Sequence, residues 1–190
     1  EYKESFICNI HQKASTSSSS HMNEYFRNNP DKWREYHSIR EENKKEWVED
    51  PINVIAEKLN KNRHQVIADL GCGMNQLKTL VNSYSQWYSF DHYSDDETVI
   101  KADISDLKEY LQDNSVDAAV FCMSLWGTNY MDYIKESCRY LKRGGIVYIA
   151  EPKDKINQSE LIGGALGIGF KLISFGDEKN GKSYIEFEKL

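Results

Sequence analysis

The sequence predicts an α/β fold in which helices lead into a doubly wound, mostly parallel sheet. Three observations predict it. Val66, Ile67, Ala68 and Leu70 make the short apolar run of a buried strand, and Gly71-Cys72-Gly73 then turns the chain into a helically spaced segment, Gln76 to Val81. Four more strand-like runs follow, at residues 87–90, 98–100, 116–122 and 146–150, with helical patterns between them. Finally, Gly71, Asp91, Asp103, Cys122 and Glu151 fall at or just past the carboxyl ends of these strands. In open parallel sheets that edge is where ligands bind, so one crevice is expected to gather all five.

Composition sets the outer bounds. The 190 residues carry a net charge of -6, with 28% charged and 39% hydrophobic residues, which describes one globular domain of mildly acidic character. Such a balance argues against a stand-alone nucleic-acid binder. No apolar stretch is long enough for a membrane span, and no signal peptide is expected. Cys8, Cys72, Cys122 and Cys138 form no C-x-x-C pair and no zinc-spaced cluster, so no metal is expected and the thiols read as reduced, in an intracellular protein. The chain starts at Glu1 and reads as a piece of a longer protein or a processed chain.

Residues 1–22 lack periodicity and include the Ser/Thr tract Ala14 to Ser20. They are expected to be a flexible lead or tag. Helices are expected from residue 23 to residue 65, packing on the site. Asn29-Pro30 and Asp50-Pro51 are start signals, with Pro at the first helical position. Trp33, Tyr36 and His37 share one face, on which His37 reads as a packed histidine. The charge-dense stretch Arg40 to Asp50 reads as a solvated face.

The core is expected over residues 66–190. The glycine turn has the pattern D-x-G-x-G-x-N and lacks the third glycine of a dinucleotide site. Asp91, 22 residues beyond Asp69, is placed to accept from ribose hydroxyls of an adenosine-type cofactor. Asp103 stands at the mouth of the third strand, where it could accept from an adenine amino group while the next backbone N–H, that of Ile104, donates to the ring. It could equally cap a helix over Asp106 to Leu111. Ser124 to Asn129 form the loop after the fourth strand. A helix is expected over Gln158 to Ile168, weakened by three glycines. Phe170 to Phe175 and Tyr184 to Glu188 alternate as a closing hairpin around a polar turn, Asp177 to Lys182. A terminal hairpin on five parallel strands matches the seven-stranded methyltransferase sheet, with its antiparallel last strand.

On NNPDKWREYH, DPINVIAEKL, IADLGCG, WYSFD, SVDAAVFCMSLWGTN and LKRGGIVYIAE, the chain resembles the methyltransferase domain of the ribosomal RNA-processing protein 8 family, over Tyr25 to Lys189. The resemblance implies a Rossmann-like class I fold and N1-methylation of an adenine in large-subunit ribosomal RNA, with S-adenosyl-L-methionine as methyl donor. It places the cofactor contacts on His37, Gly71, Asp91, Asp103, Ile104 and Cys122, overruling the packed reading of His37. Its implied partner is ribosomal RNA or a pre-ribosome, and its implied location the nucleolus or nucleus of a eukaryote, with the protein a monomer.

Adenine N1 carries an in-plane lone pair and needs no deprotonation, so alignment with the methyl group is the main task. The base must be unpaired, since N1 lies on the Watson–Crick edge. The product ring is cationic, and Asn129, Glu151 and Ser124 are the candidate catalytic residues near it. Trp126 is a candidate to stack on the base. The competing readings are a methyltransferase for a protein or small molecule, and a cofactor-binding adaptor without catalysis.

Overall fold

The computed structural model describes residues 1–177 and 180–190. Its sheet has seven strands in the order β3-β2-β1-β4-β5-β7-β6. These are β1 (Val66–Leu70), β2 (Gln86–Asp91), β3 (Val99–Lys101), β4 (Val116–Cys122), β5 (Leu141–Pro152), β6 (Phe170–Asp177) and β7 (Lys182–Lys189). The first five pair in parallel, while β7 runs antiparallel between β5 and β6. The closing hairpin and antiparallel last strand follow the sequence expectation, although part of the predicted turn, residues 178 and 179, lies outside the described residues. Strand order reverses at β1, which pairs with β2 on one side and β4 on the other. That is the switch point at which a ligand crevice opens.

The strands are apolar because both faces are covered. Ile67, Ala118, Val120 and Tyr148 pack on one side with Ile55 and Leu59 of helix α4 (Pro51–Asn62). Ala68, Phe90, Ala119, Phe121 and Ile149 pack on the other with Ile134 of α6 (Tyr130–Tyr140) and Leu161 of α7 (Gln158–Ile168). Alternate strand positions therefore feed two cores. Helix α4 starts where Asp50 accepts from Ile52 N at 3.1 Å, with Pro51 at its first position.

The connections are leaner than the alternating pattern suggests. Between β1 and β2 lies one turn of helix, α5 (Leu77–Leu80). The helix expected over Asp106 to Leu111 is instead a chain of turns, anchored by buried Leu107 and Leu111. Leu107 N donates to Glu136 of α6 at 2.6 Å, so a side chain supplies the acceptor that helix would have provided.

The N-terminus corrects another expectation. Residues 1–22 are not a flexible lead: they form α1 (Tyr2–Thr16) and the start of α2 (Ser19–Asn28). Phe6 and Ile10, four residues apart, are buried against Met22, Phe26 and the Trp33, Tyr36 and Ile39 face of α3 (Pro30–Lys44). The serines signal a helix start rather than a linker, for Ser18 accepts from His21 N at 3.2 Å as the cap of α2. A short apolar stripe diluted by polar residues conceals α1 in the sequence.

Candidate active site

The site is built from the turn after β1. Gly71 (φ +79°) and Gly73 (φ +55°) take left-handed conformations, as does Asn75 (φ +59°), which stands in for a third glycine. Asn75 is fixed by Ser89 Oγ, which donates to its carbonyl at 2.6 Å. A side chain at Gly71 has no room, since its Cβ would lie 2.5 Å from Ser124 Cβ. The glycine is therefore required by both backbone angle and close approach.

Asp91, at the end of β2, organises this turn. Its carboxylate accepts from Gly73 N at 2.8 Å, His92 N at 2.8 Å and Trp33 Nε1 at 3.0 Å. The indole bond ties helix α3 to the sheet edge. Around Asp91 opens a cavity whose wall includes His37, Gly71, Ile104, Cys122 and Ser124. Six of the nine candidate site residues thus share one space. Asp103, Asn129 and Glu151 are not on its wall.

Each of those three has a definite partner. Asp103 accepts from Ser105 N at 3.0 Å within a turn and caps no helix, since the one expected over Asp106 to Leu111 does not form. Asn129 is joined to α2: Ser19 N donates to its carbonyl and its amide donates to Ser19 Oγ, both at 2.9 Å. Glu151 is buried, and one of its oxygens accepts from Ser124 N at 2.6 Å and Leu125 N at 2.7 Å. That clamp holds a loop in which Met123 has φ +59°, a conformation costing a residue with a Cβ about 1–2 kcal/mol. Trp126 is not free to take a base as the sequence suggested. It stacks on His11 of α1 at 4.7 Å, and Lys155 lies 5.5 Å from its ring centre.

Helix α3 contributes more than the sequence reading allowed. Trp33, Tyr36, His37, Arg40, Glu41 and Lys44 all line the cavity. Their spacing of three, four, seven, eight and eleven residues from Trp33 is one helix face. The stretch beginning at Arg40 is therefore turned partly inward, with Trp47 and Asp50 also on the wall. The signal was present, as a continuation of the aromatic stripe, but charge density masked it.

Burial tunes the ionisable groups here. Asp69 is pushed up to about 7 by desolvation, reinforced by Asp91. Glu151 is also pushed up to about 7 by burial, against the pull of its two backbone donors. His37 is lowered to about 4, again chiefly by burial, so it is neutral at pH 7. Burial also holds the Cys122 thiol well above its ordinary value, leaving it protonated. Near the glycine turn the wall thus sets the neutral His37 and Cys122 beside the well-bonded carboxylate of Asp91.

The fit to an adenosyl cofactor rests on two features of this wall. Ser124 Oγ is buried with no hydrogen-bond partner, an arrangement that calls for a polar ligand atom. The bare backbone at Gly71 and Gly73 leaves an approach that a Cβ would fill. Among the described residues, no group of three or more His, Cys, Asp or Glu could hold a metal, and no helix is long and apolar enough to cross a membrane.

Strand order, glycine turn and crevice together define a Rossmann-like methyltransferase fold. Within that class the chain belongs to the family described as "Hypothetical methyltransferase", whose model matches residues 6–190. It is 37% identical over 157 residues to Ribosomal RNA-processing protein 8 of Arabidopsis thaliana, covering 82% of this chain and 53% of that protein. It is 35% identical over 159 residues to the 25S rRNA (adenine(645)-N(1))-methyltransferase of Schizosaccharomyces pombe, covering 78% of this chain and 49% of that one. The chain spans about half the length of these curated relatives. Among solved structures, the Burkholderia thailandensis 1,6-didemethyltoxoflavin-N1-methyltransferase superposes with a TM-score of 0.59 at 14% identity, over 83% of this chain and 86% of that one. A putative S-adenosylmethionine dependent methyltransferase from Listeria monocytogenes gives 0.58 at 11% identity, over 73% and 98%. At these identities the structural likeness speaks for the fold.

Proposed function

We propose that the chain is the catalytic domain of an S-adenosyl-L-methionine-dependent methyltransferase that modifies N1 of an adenine in large-subunit ribosomal RNA. The observation that carries the reading is the convergence of Gly71, Asp91, Ile104, Cys122 and Ser124 on one cavity at the carboxyl edge of β1 to β4. The names of the relatives from Arabidopsis thaliana and Schizosaccharomyces pombe support the RNA substrate.

Bound there, the cofactor supplies an electrophilic methyl group. Asp91 is the acceptor for its ribose, with His37 and the Gly71 backbone beside its amino-acid end. Ile104 and Cys122 would flank the adenine; Asp103, next to Ile104 but off the wall, is the candidate acceptor for its amino group that the family resemblance implies. Ser124, on the wall, is the candidate group facing the base. Adenine N1 asks for orientation rather than a strong base, and the wall's neutral His37 and protonated Cys122 suit that demand. Glu151 and Asn129 act as positioning residues. Glu151 sets the Ser124–Leu125 backbone, and Asn129 joins the same loop to α2.

The partner is ribosomal RNA or a pre-ribosomal particle, the location a nucleolus or nucleus, and the working form a monomer. Calorimetric titration of the chain with S-adenosylmethionine tests the cofactor site. Micromolar binding that Asp91→Ala weakens by tenfold or more is expected, and no heat of binding would refute the assignment.

A further inference from the structure

The cavity mouth carries a set of cations that the acidic remainder of the chain does not neutralise. Some lysines pair with acids, as Lys44 of the cavity wall does with Glu41 and Asp50, and Lys58 with Glu186. Among the described residues Arg40, Lys155 and Lys182 form no ion pair. Each instead lies against a tryptophan of the cavity wall. Lys182 Nζ is 5.0 Å from the centre of the Trp47 ring and the Arg40 guanidinium 5.8 Å from it, while Lys155 Nζ is 5.5 Å from that of Trp126. Their fields overlap: Arg40 and Lys155 both disfavour the charged form of His11, and Arg40 and Lys182 both favour that of Glu151. Arg40 uses one of its donors, on the Tyr36 hydroxyl at 3.1 Å, and lines the cavity itself.

Cations outside ion pairs, set against half-buried indoles of the cavity wall, match an unpaired polynucleotide. Such a strand presents phosphates to the cations and flat bases to the aromatics. The Ser19–Asn129 pair and the stacked His11 and Trp126 bring the N-terminal helices up to the Trp126 end of the cavity.

We infer that the rim formed by Trp47, Lys155 and Lys182 is the surface along which a single-stranded RNA segment lies while its target base enters the cavity. The two ammonium groups take phosphates on either side of that base, and Trp47 stacks on a neighbouring one. The inference rests on the RNA reading above, and locates within it the surface that holds the strand.

The test is fluorescence anisotropy with a labelled unstructured RNA of about 12 nucleotides carrying a central adenosine, titrated with the chain over a range of salt. Lys155→Glu together with Lys182→Glu should weaken binding by about tenfold or more and reduce the salt slope by about 1.4, the counterions of two single-strand phosphates. Trp47→Ala should weaken it by about tenfold through lost stacking. The control pair Lys61→Glu and Lys108→Glu makes the same change of net charge away from the cavity, and should leave affinity within about twofold, as net charge acts more weakly than local contacts. Calorimetry with S-adenosylmethionine shows that the Lys155/Lys182 variant is folded. RNA binding by the parent that this variant retains, in affinity and salt slope, overturns the rim and leaves the RNA reading intact. A parent that binds no RNA also overturns it, and methyl transfer to ribosomal RNA then decides the substrate separately.

Discussion

Asn129 and Ser19, 110 residues apart in sequence, hold each other by two reciprocal hydrogen bonds of 2.9 Å. A third bond, Thr128 N to Ser17 O at 3.0 Å, runs beside them. The loop after β4, expected from sequence to face substrate, is thereby latched to the start of α2. Removing either partner should loosen the N-terminal helices without unfolding the sheet. Asn129→Ala and Ser19→Ala should each raise the rate of proteolysis within residues 1–29, with a local loss of about 1 kcal/mol. The double variant should be no worse than the worse single one, as a double-mutant cycle requires of a shared bond. Full additivity would show that the pair does not act as a unit.

Glu151 offers a sharper distinction between positioning and proton transfer. Glu151→Ala leaves the buried Ser124 and Leu125 N–H groups without an acceptor, at a cost of about 2 kcal/mol or more. Methyl transfer should fall with it. Glu151→Gln keeps a carbonyl acceptor and should retain turnover within about tenfold. If the glutamine variant is as inactive as the alanine variant while melting like the parent, Glu151 handles a proton.

Gly71→Ala should fail twice, through a φ of +79° and through the 2.5 Å approach to Ser124 Cβ. A fall in stability of about 2 kcal/mol and loss of cofactor binding are expected. Adding Ser124→Gly removes the contacting atom and should recover part of the stability but not the conformational cost. Thermal melting of the two variants checks this, and equal melting temperatures would show that the contact is harmless.

Asp69 gives a pH signature. Its folded pKa, about 7, lies above the ordinary 3.8, so between these values the folded state binds more protons than the unfolded one. The carboxyl therefore costs stability progressively as pH rises from about 4 to 7, and its full cost is present above about 7. Asp69→Asn should stabilise the ligand-free chain by an amount that grows across that window and then levels off. His37 works the other way. Its pKa is depressed to about 4 from 6.5, so it withdraws stability as pH falls from about 6.5 to 4. Melting curves of parent and Asp69→Asn at pH 5 and pH 8 separate the two, because only the difference between the proteins reports Asp69. A pH-independent difference would contradict the assignment.

The sheet was legible in sequence because fully buried parallel strands leave nearly continuous apolar runs, and because each ends on a residue of different character. The hairpin was legible from its period of two. Helices α3 and α4 were legible from Asn29-Pro30 and Asp50-Pro51, but α1 and the start of α2 were not. In α1 two buried residues, Phe6 and Ile10, are scattered among polar ones, and a serine cap looks like a linker. The site was legible where chemistry lies at strand ends, as at Gly71, Asp91 and Cys122. It was obscured where a side chain's partner comes from afar, as Asn129's does from Ser19 and Asp91's from Trp33. Arg40 was obscured by its charged neighbours, although it continues the Trp33 and Tyr36 stripe.

The proposed activity is that this cavity holds S-adenosylmethionine and methylates N1 of an adenine. It is tested most directly by incubating the chain with isotopically labelled cofactor and unmodified large-subunit ribosomal RNA, then identifying the labelled nucleoside by mass spectrometry. Labelled N1-methyladenosine is expected, lost with Asp91→Ala. Label in another nucleoside, or in none while cofactor binding is intact, would contradict it.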